Sequence, residues 1–307
     1  MRIHRMTRAM ALGLVLVVAL SACGKSKSSS SAAAKKTTIT IGSEKFSESV
    51  IMAEVYAGAL EAKGYTVNRK LRLGTREVYE PAAEQGTIDV FPDYAATLLE
   101  FVNKAAGEAT GDPAATLAKL RTRLEPKGLT ALDAAPALDA NAFAVTKATA
   151  DKYHLTKMSD LAAVAGQLKL GAPAECAQRP YCGVGLKNTY GITFKEIVPL
   201  GFDSPEVKEA LKNGNVDVAE VGTTDGTLDS LGFVVLQDDK HLQPADVLTP
   251  IIRTKALTDD IKATLNKVSA AMTTSELAAL DKRADVDKED PETVAHSWLT
   301  SKGFVKK

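Results

Sequence analysis

Cysteine and histidine are too scarce in this chain for most metal and nucleophile chemistry. Its 307 residues hold three cysteines and four histidines. The histidines, His4, His154, His241 and His296, are scattered, with no His-Glu-x-x-His and no close pair, so no metal site is expected. A Gly-x-Ser-x-Gly elbow and a phosphate-binding glycine loop are also missing. Gly183-Val184-Gly185 lacks the further glycine and the strand–helix setting of a dinucleotide fingerprint, so no cofactor is expected. An enzyme would have to work with scattered Asp and Glu, which carry no spacing signature; the expectation is a protein that is not an enzyme. Charge of one sign is lacking too. The 38 basic residues equal the 38 acidic ones and form no block, which argues against nucleic acid as a partner. No apolar run reaches the roughly 20 residues that a membrane-spanning helix needs.

What is present starts with a leader. Arg2, Arg5 and Arg8 precede an uncharged stretch from Ala9 to Leu20, closed by Ser21-Ala22-Cys23. The stretch is too short for a stable span and reads as a signal peptide. Leu20-Ser21-Ala22-Cys23 resembles a bacterial lipobox, which implies that residues 1–22 are removed and Cys23 is lipidated. An ordinary leader with a chance cysteine is the competing explanation. The chain is therefore expected outside the cytoplasmic membrane, tethered to its outer face. Losing the leader removes three basic residues and no acidic one, leaving 35 against 38. Residues 23–36, rich in Ser, Ala and Lys, read as a flexible tether of roughly 20 Å average reach. Cys176 and Cys182 enclose a five-residue loop stiffened by Pro180. A disulfide there is expected to add roughly 2 kcal/mol. A metal or redox pair is the alternative, without a nearby histidine or a C-x-x-C spacing to support it.

The remaining chain is long enough for two compact lobes. Thr37-Thr38-Ile39-Thr40-Ile41 alternates as a strand, Ser47 is placed to cap a helix over 48–63, and a second strand is expected over 66–73. Val50, Ile51, Val55, Ala59 and Ala62 give that helix an apolar face. The chain then repeats in outline: Gly86 and Gly214, Asp89 and Asp217, and Val90 and Val218 are each 128 residues apart. This supports two lobes of similar α/β build. Asp112-Pro113, Ser159, Ser204-Pro205, Thr258 and Asp290-Pro291 mark helix starts, and Asp203 and Glu206 have capping-box spacing. Further strands are expected near 129–133, 141–147, 168–171, 195–200, 233–236 and 245–253. After Arg253 only helices remain, which most simply return to cover the first lobe. The expected division is 37–138 plus 245–307 for lobe 1 and 139–244 for lobe 2, with crossings near 134–140 and 240–248.

Eight strings in order carry a resemblance. They begin with Ile39-Thr40-Ile41-Gly42-Ser43-Glu44-Lys45-Phe46-Ser47-Glu48, Gly74-Thr75-Arg76-Glu77-Val78 and Gly86-Thr87-Ile88-Asp89-Val90-Phe91-Pro92-Asp93-Tyr94. Arg179-Pro180, Tyr190 to Glu196, Val216-Asp217-Val218, Thr223-Thr224-Asp225 and Val234 to Lys240 follow. Over about residues 37–302 the chain resembles the substrate-binding proteins of ABC importers for glycine betaine, choline and related quaternary amines. The resemblance implies an α/β, two-lobed periplasmic-binding-protein fold of type II, with a ligand cleft between the lobes. It implies a small-molecule ligand, a permease with its ATPase as partners, the membrane reached through the lipid on Cys23, and a monomer.

Family members trap trimethylammonium groups among tyrosine rings. By position, Tyr94 matches a cage tyrosine, Thr97 a polar neighbour, Asp139 an acidic group near the cage and Arg179 the carboxylate-binding arginine. Other cage positions fall on Asn141, Lys208 and Gly222, none aromatic; the family lysine aligns with Glu44, next to Lys45. Ser43, Phe46, Thr75, Thr223 and Thr224 complete the expected ligand-binding set. Losing three rings at roughly 0.5–2 kcal/mol each leaves the ligand open, although Phe46, Tyr79, Phe143 or Tyr181 could rebuild part of a cage. Plainer roles stand beside these: Tyr94 as a wall residue, Arg179 as a brace for the disulfide loop, and the threonines as helix caps. A receptor for a non-quaternary solute, or a sensing or envelope lipoprotein without transport, are the rival functions.

Overall fold

The structure is a computed structural model that describes residues 37–306. The leader, Cys23 and the tether lie outside the described residues. The chain opens with β1 (Thr38–Gly42), α1 (Ser47–Glu61), β2 (Thr66–Lys70), α2 (Arg76–Glu84), β3 (Val90–Tyr94), α3 (Ala95–Val102), α4 (Pro113–Leu124) and β4 (Leu129–Ala131). It continues through β5 (Asn141–Thr146), α5 (Lys147–Tyr153), α6 (Met158–Leu161), β6 (Lys169–Ala172), α7 (Gly183–Gly185), β7 (Glu196–Pro199), α8 (Pro205–Lys212), β8 (Val218–Gly222) and β9 (Phe233–Val235). It closes with β10 (Leu248–Arg253), α9 (Asp259–Ala271), α10 (Thr274–Asp285) and α11 (Pro291–Ser301).

The strands form two five-stranded sheets, in the orders β2-β1-β3-β10-β4 and β7-β6-β8-β5-β9. In each, three strands run parallel and the next two add an antiparallel partner on either side of one strand. The sequence repeat has a physical counterpart here. Asp89 accepts the Thr40 amide at 2.9 Å, and Asp217 accepts the Lys169 amide at 2.9 Å, each tying a central strand to the parallel strand beside it. Gly86 and Gly214 sit at φ 77° and 73°, the left-handed turn that lets the preceding helix fold back into the strand. The segments joining the sheets, 132–140 and 236–247, pair with each other through Leu138 and Val247 and through the Asp139 amide on the Asp246 carbonyl at 3.0 Å.

α1 is buried almost all round rather than on one face. Ile51, Met52, Val55, Tyr56 and Leu60 pack with Ile261, Leu265, Val268, Leu277, Val294 and Trp298 of α9, α10 and α11. The three last helices therefore cover the first sheet's helix, while Ala62, expected on the apolar face, lies past the helix end and is exposed. The local start signals hold where nothing distant competes. Asp112, Ser204, Thr258 and Asp290 each accept amides of the first turn of their helix. Others were overridden. Ser47 lies inside α1 and donates to Asp285 at 2.6 Å instead of capping. Ser159 lies inside α6, donating to Asp239. Asp203 pairs with Lys208 rather than joining a capping box. β2 stops at Lys70 because Arg72 turns to φ 58° and gives its amide to the Ser43 hydroxyl. Among the described residues no helix is long and apolar enough to cross a membrane.

Candidate functional site

The two sheets enclose a pocket whose wall comes from both. Phe46, Arg76, Tyr94, Thr97 and Phe101 stand on the first side, and Asn141, Cys176, Arg179, Tyr181, Phe202 and Glu220 on the second. Its cavity of about 80 Å³ fits a small solute rather than a peptide. Contacts bridge the gap. The Phe46 and Phe202 rings meet edge-on at 5.4 Å, and Arg179 donates to Glu77 at 2.6 Å while lying 5.2 Å from the Phe101 ring centre. Thr224 donates to Glu48 at 2.5 Å.

The expected site residues divide. Glu44, Phe46, Tyr94, Thr97, Asp139, Asn141 and Arg179 line the pocket, as do Cys176 and Cys182, which form a disulfide. Ser43, Lys45, Thr75, Gly222, Thr223 and Thr224 are outside that lining. Ser43 and Thr75 serve local structure: the Ser43 hydroxyl accepts the Arg72 amide, and Thr75 donates to Glu77. Thr223 and the Thr224 amide hold the Asp139 carboxylate at 2.9 and 3.2 Å. A side chain on Gly222 would begin 3.2 Å from that same carboxylate, so glycine there makes room for Asp139. Lys208 is tied to Asp203 and Asp225 at 3.3 and 2.8 Å, away from this pocket.

A ring wall survives the loss of aromatic residues at Asn141, Lys208 and Gly222. Five rings line the pocket: Phe46, Tyr94, Phe101, Tyr181 and Phe202. Of the possible substitutes weighed from sequence, Tyr79 and Phe143 are core side chains, whereas Phe46 and Tyr181 face the pocket. Phe101 and Phe202 follow no pattern that would have flagged them. The Tyr94 hydroxyl donates to Glu48, and burial together with that carboxylate raises its pKa.

The electrostatics are mostly acidic. Arg76 binds Asp93 through Nε at 3.0 Å and Nη2 at 2.6 Å, and gives a further bond to Thr97 at 2.7 Å. Six carboxyl groups line the pocket: Glu44, Glu100, Asp139, Glu175, Glu220 and Asp246. Burial pushes Glu44 up to about 7, with Arg76 opposing. Burial first, then the Glu48 charge, raises Asp139 to about 8. Burial raises Glu220 to about 8 and Asp246 to about 7. Asp281 of α10 is driven up by burial and by Glu48. Burial thus keeps much of this wall protonated near neutral pH, and a cation entering the pocket would favour the ionised carboxylates. The cluster of Cys176, Cys182 and Glu220 is compact enough for a metal ion, but a disulfide offers no thiolate.

Two similar lobes around a small, ring-walled and acidic pocket define a solute-binding protein of the two-lobed class. The chain belongs to the family described as the substrate binding domain of ABC-type glycine betaine transport systems, matched over residues 37–301. It is 28% identical over 275 residues to the carnitine transport binding protein OpuCC of Listeria monocytogenes serotype 1/2a (strain 10403S), covering 88% of each chain. It is 26% identical over 281 residues to the glycine betaine-binding protein YehZ of Escherichia coli (strain K12), covering 87% of this chain and 92% of that one. A crystal structure of a glycine betaine/carnitine/choline ABC transporter protein superposes with TM-score 0.66 at 27% identity, over 87% of this chain and 99% of the other.

Proposed function

We propose that the chain is a lipid-anchored, extracytoplasmic receptor that captures a small quaternary amine osmoprotectant, such as glycine betaine, choline or carnitine. It hands the ligand to an ABC permease driven by its ATPase, acts as a monomer and catalyses nothing. The lobes are 37–138 plus 245–307 and 139–244, hinged where the two joining segments pair, and Cys23 carries the lipid. The observation that supports this most directly is the ring wall. Phe46, Tyr94, Phe101, Tyr181 and Phe202 surround a pocket that also carries carboxyl groups. Faces of aromatic rings and nearby negative charge are what a methylated ammonium needs, since it cannot donate hydrogen bonds. Family membership points the same way. Isothermal titration of the protein from Lys35 onward with betaines, choline and carnitine is expected to give saturable one-to-one binding. Silence across that panel would overturn the receptor role for quaternary amines.

A further inference from the structure

The charges in the pocket do not cancel. Its two guanidinium groups already have partners outside the lining: Arg76 is held by Asp93, and Arg179 by Glu77. Three of the six lining carboxylates are satisfied by amides or hydroxyls. Glu100 accepts from Gly107 and Ala109, Asp246 from Ala96 and Thr97, and Asp139 from Thr223 and Thr224. Of the three without such donors, Glu44, Glu175 and Glu220, the last is the most deeply buried. It projects from the middle of β8, is only 3% exposed, and lines the pocket. Among the described residues its carboxylate makes one hydrogen-bond contact, with Cys182 Sγ at 3.2 Å, which in a disulfide has no proton to give; the charges of Arg179 and Glu175 act on it without a hydrogen bond. A buried carboxylate without a donor costs free energy until something supplies a proton or a positive charge.

Resting on the receptor role, we propose that the pocket selects a net-cationic solute carrying a hydrogen-bond donor over a zwitterion, and that Glu220 is the residue that enforces the choice. A ligand hydroxyl or N–H would satisfy the Glu220 carboxylate, and the ligand's charge would offset the lining acids. A ligand carboxylate would instead meet Glu220 and Glu175 with neither arginine free of a counter-charge. Two solutes sharing one ammonium group separate these cases. Choline and glycine betaine have the same trimethylammonium; choline ends in a hydroxyl, betaine in a carboxylate. A bound cation also favours the ionised form of Glu220, which burial otherwise holds protonated up to about pH 8. Choline binding should therefore release protons and tighten as pH rises toward 8.5.

The test is calorimetric titration of both solutes at pH 6 and 8.5, on the wild type and on Glu220→Gln. That substitution keeps the size and removes the charge, and its melting temperature is checked first. At pH 8.5 the wild type is expected to bind choline at least tenfold tighter than betaine, and Glu220→Gln to lose most of that ratio by weakening choline. Should the variant melt early, the wild-type ratio and its pH trend carry the test alone. Betaine binding as well as or better than choline at pH 8.5 would overturn the proposal and leave the receptor role intact. Equal weakening of both solutes by Glu220→Gln would also overturn it. Failure of both solutes and of the wider panel would remove the receptor role itself.

Discussion

Asp139 holds a carboxyl group where two other buried acids, Glu48 and Asp281, adjoin it without a nearby cation, so its titration should be legible in the stability of the protein. Burial, reinforced by Glu48, lifts it from 3.8 to about 8. At about 1.4 kcal/mol per tenfold change in proton affinity, discounted for its coupling to neighbouring acids, the group is worth roughly 2–5 kcal/mol. The direction follows from its being raised in the folded state. The native protein holds the proton more tightly than the unfolded chain, so this stability is complete below about pH 4 and is lost as pH rises through about 8. Asp139→Asn removes the titration while Oδ1 can still accept from the Thr223 hydroxyl and the Thr224 amide. Urea unfolding at pH 5, 7 and 8.5 should show the wild type losing stability across this range. The variant should have a shallower slope and overtake the wild type by about 2–5 kcal/mol at pH 8.5. Glu44, Glu220 and Asp246 add slope to both proteins, so the difference between the curves is diagnostic. Parallel curves would refute the buried-carboxyl argument.

Three further outcomes are expected. Phe202→Ala removes one ring of the pocket wall and should weaken a trimethylammonium ligand roughly three- to thirtyfold, on the 0.5–2 kcal/mol scale of one ring; calorimetry reads this, with melting nearly unchanged. Replacing both Cys176 and Cys182 by serine should cost about 2 kcal/mol in denaturant unfolding, and should weaken ligand because the loop carries Arg179 and Tyr181 into the pocket. Gly185→Ala would place a carbon 1.9 Å from the Pro180 carbonyl oxygen and 2.5 Å from Leu242, whereas Gly166→Ala meets nothing within 4 Å. The first should lower stability by about 1–3 kcal/mol in thermal or urea unfolding, and the second should leave it near wild type.

How far the fold was legible depended on the range of the deciding interaction. Asp112, Ser204, Thr258 and Asp290 cap helices through amides two or three residues away, so their chemistry is written locally. Ser47 had the same credentials, but its hydroxyl is drawn to Asp285, 238 residues along the chain. The one-sided face expected of α1 failed for a similar reason. Met52, Ala53 and Tyr56 look like a continuation of an apolar stretch, and only the return of α9, α10 and α11 over them explains why no side is left for water. The site shows the same division. Tyr94 and Arg179 stand in recognisable strings, Asp139 falls on a matched family position, and the disulfide pair is marked by its tight loop in an exported chain. Phe101 lies at the end of α3, and Phe202 in a turn, with neither periodicity nor spacing to mark it. Glu220 did leave a signal, a lone acid within the apolar strand Val218 to Gly222, and a charge in a buried strand calls for a partner.

The internal likeness of the two halves sharpens what that acid means. β3 and β8 occupy matching central places in their sheets, and each buries a carboxylate near its middle: Asp93 at 1% exposure and Glu220 at 3%. In β3 the charge is answered from within the same half. Arg76 gives two nitrogens to Asp93, Tyr79 donates at 2.7 Å and the Tyr94 amide at 2.7 Å. Among the described residues no basic side chain hydrogen-bonds Glu220: Arg179 acts on it only through its charge, and α8, which follows the corresponding turn, sends its Lys208 to Asp203 and Asp225 instead. One half therefore carries an acid paired within its own wall, and the other an acid lining the cavity with no hydrogen-bond donor among the described residues. Because a donor to this carboxylate would take only one polar side chain, its omission beside the pocket is most simply explained by a cationic ligand that brings its own donor from outside.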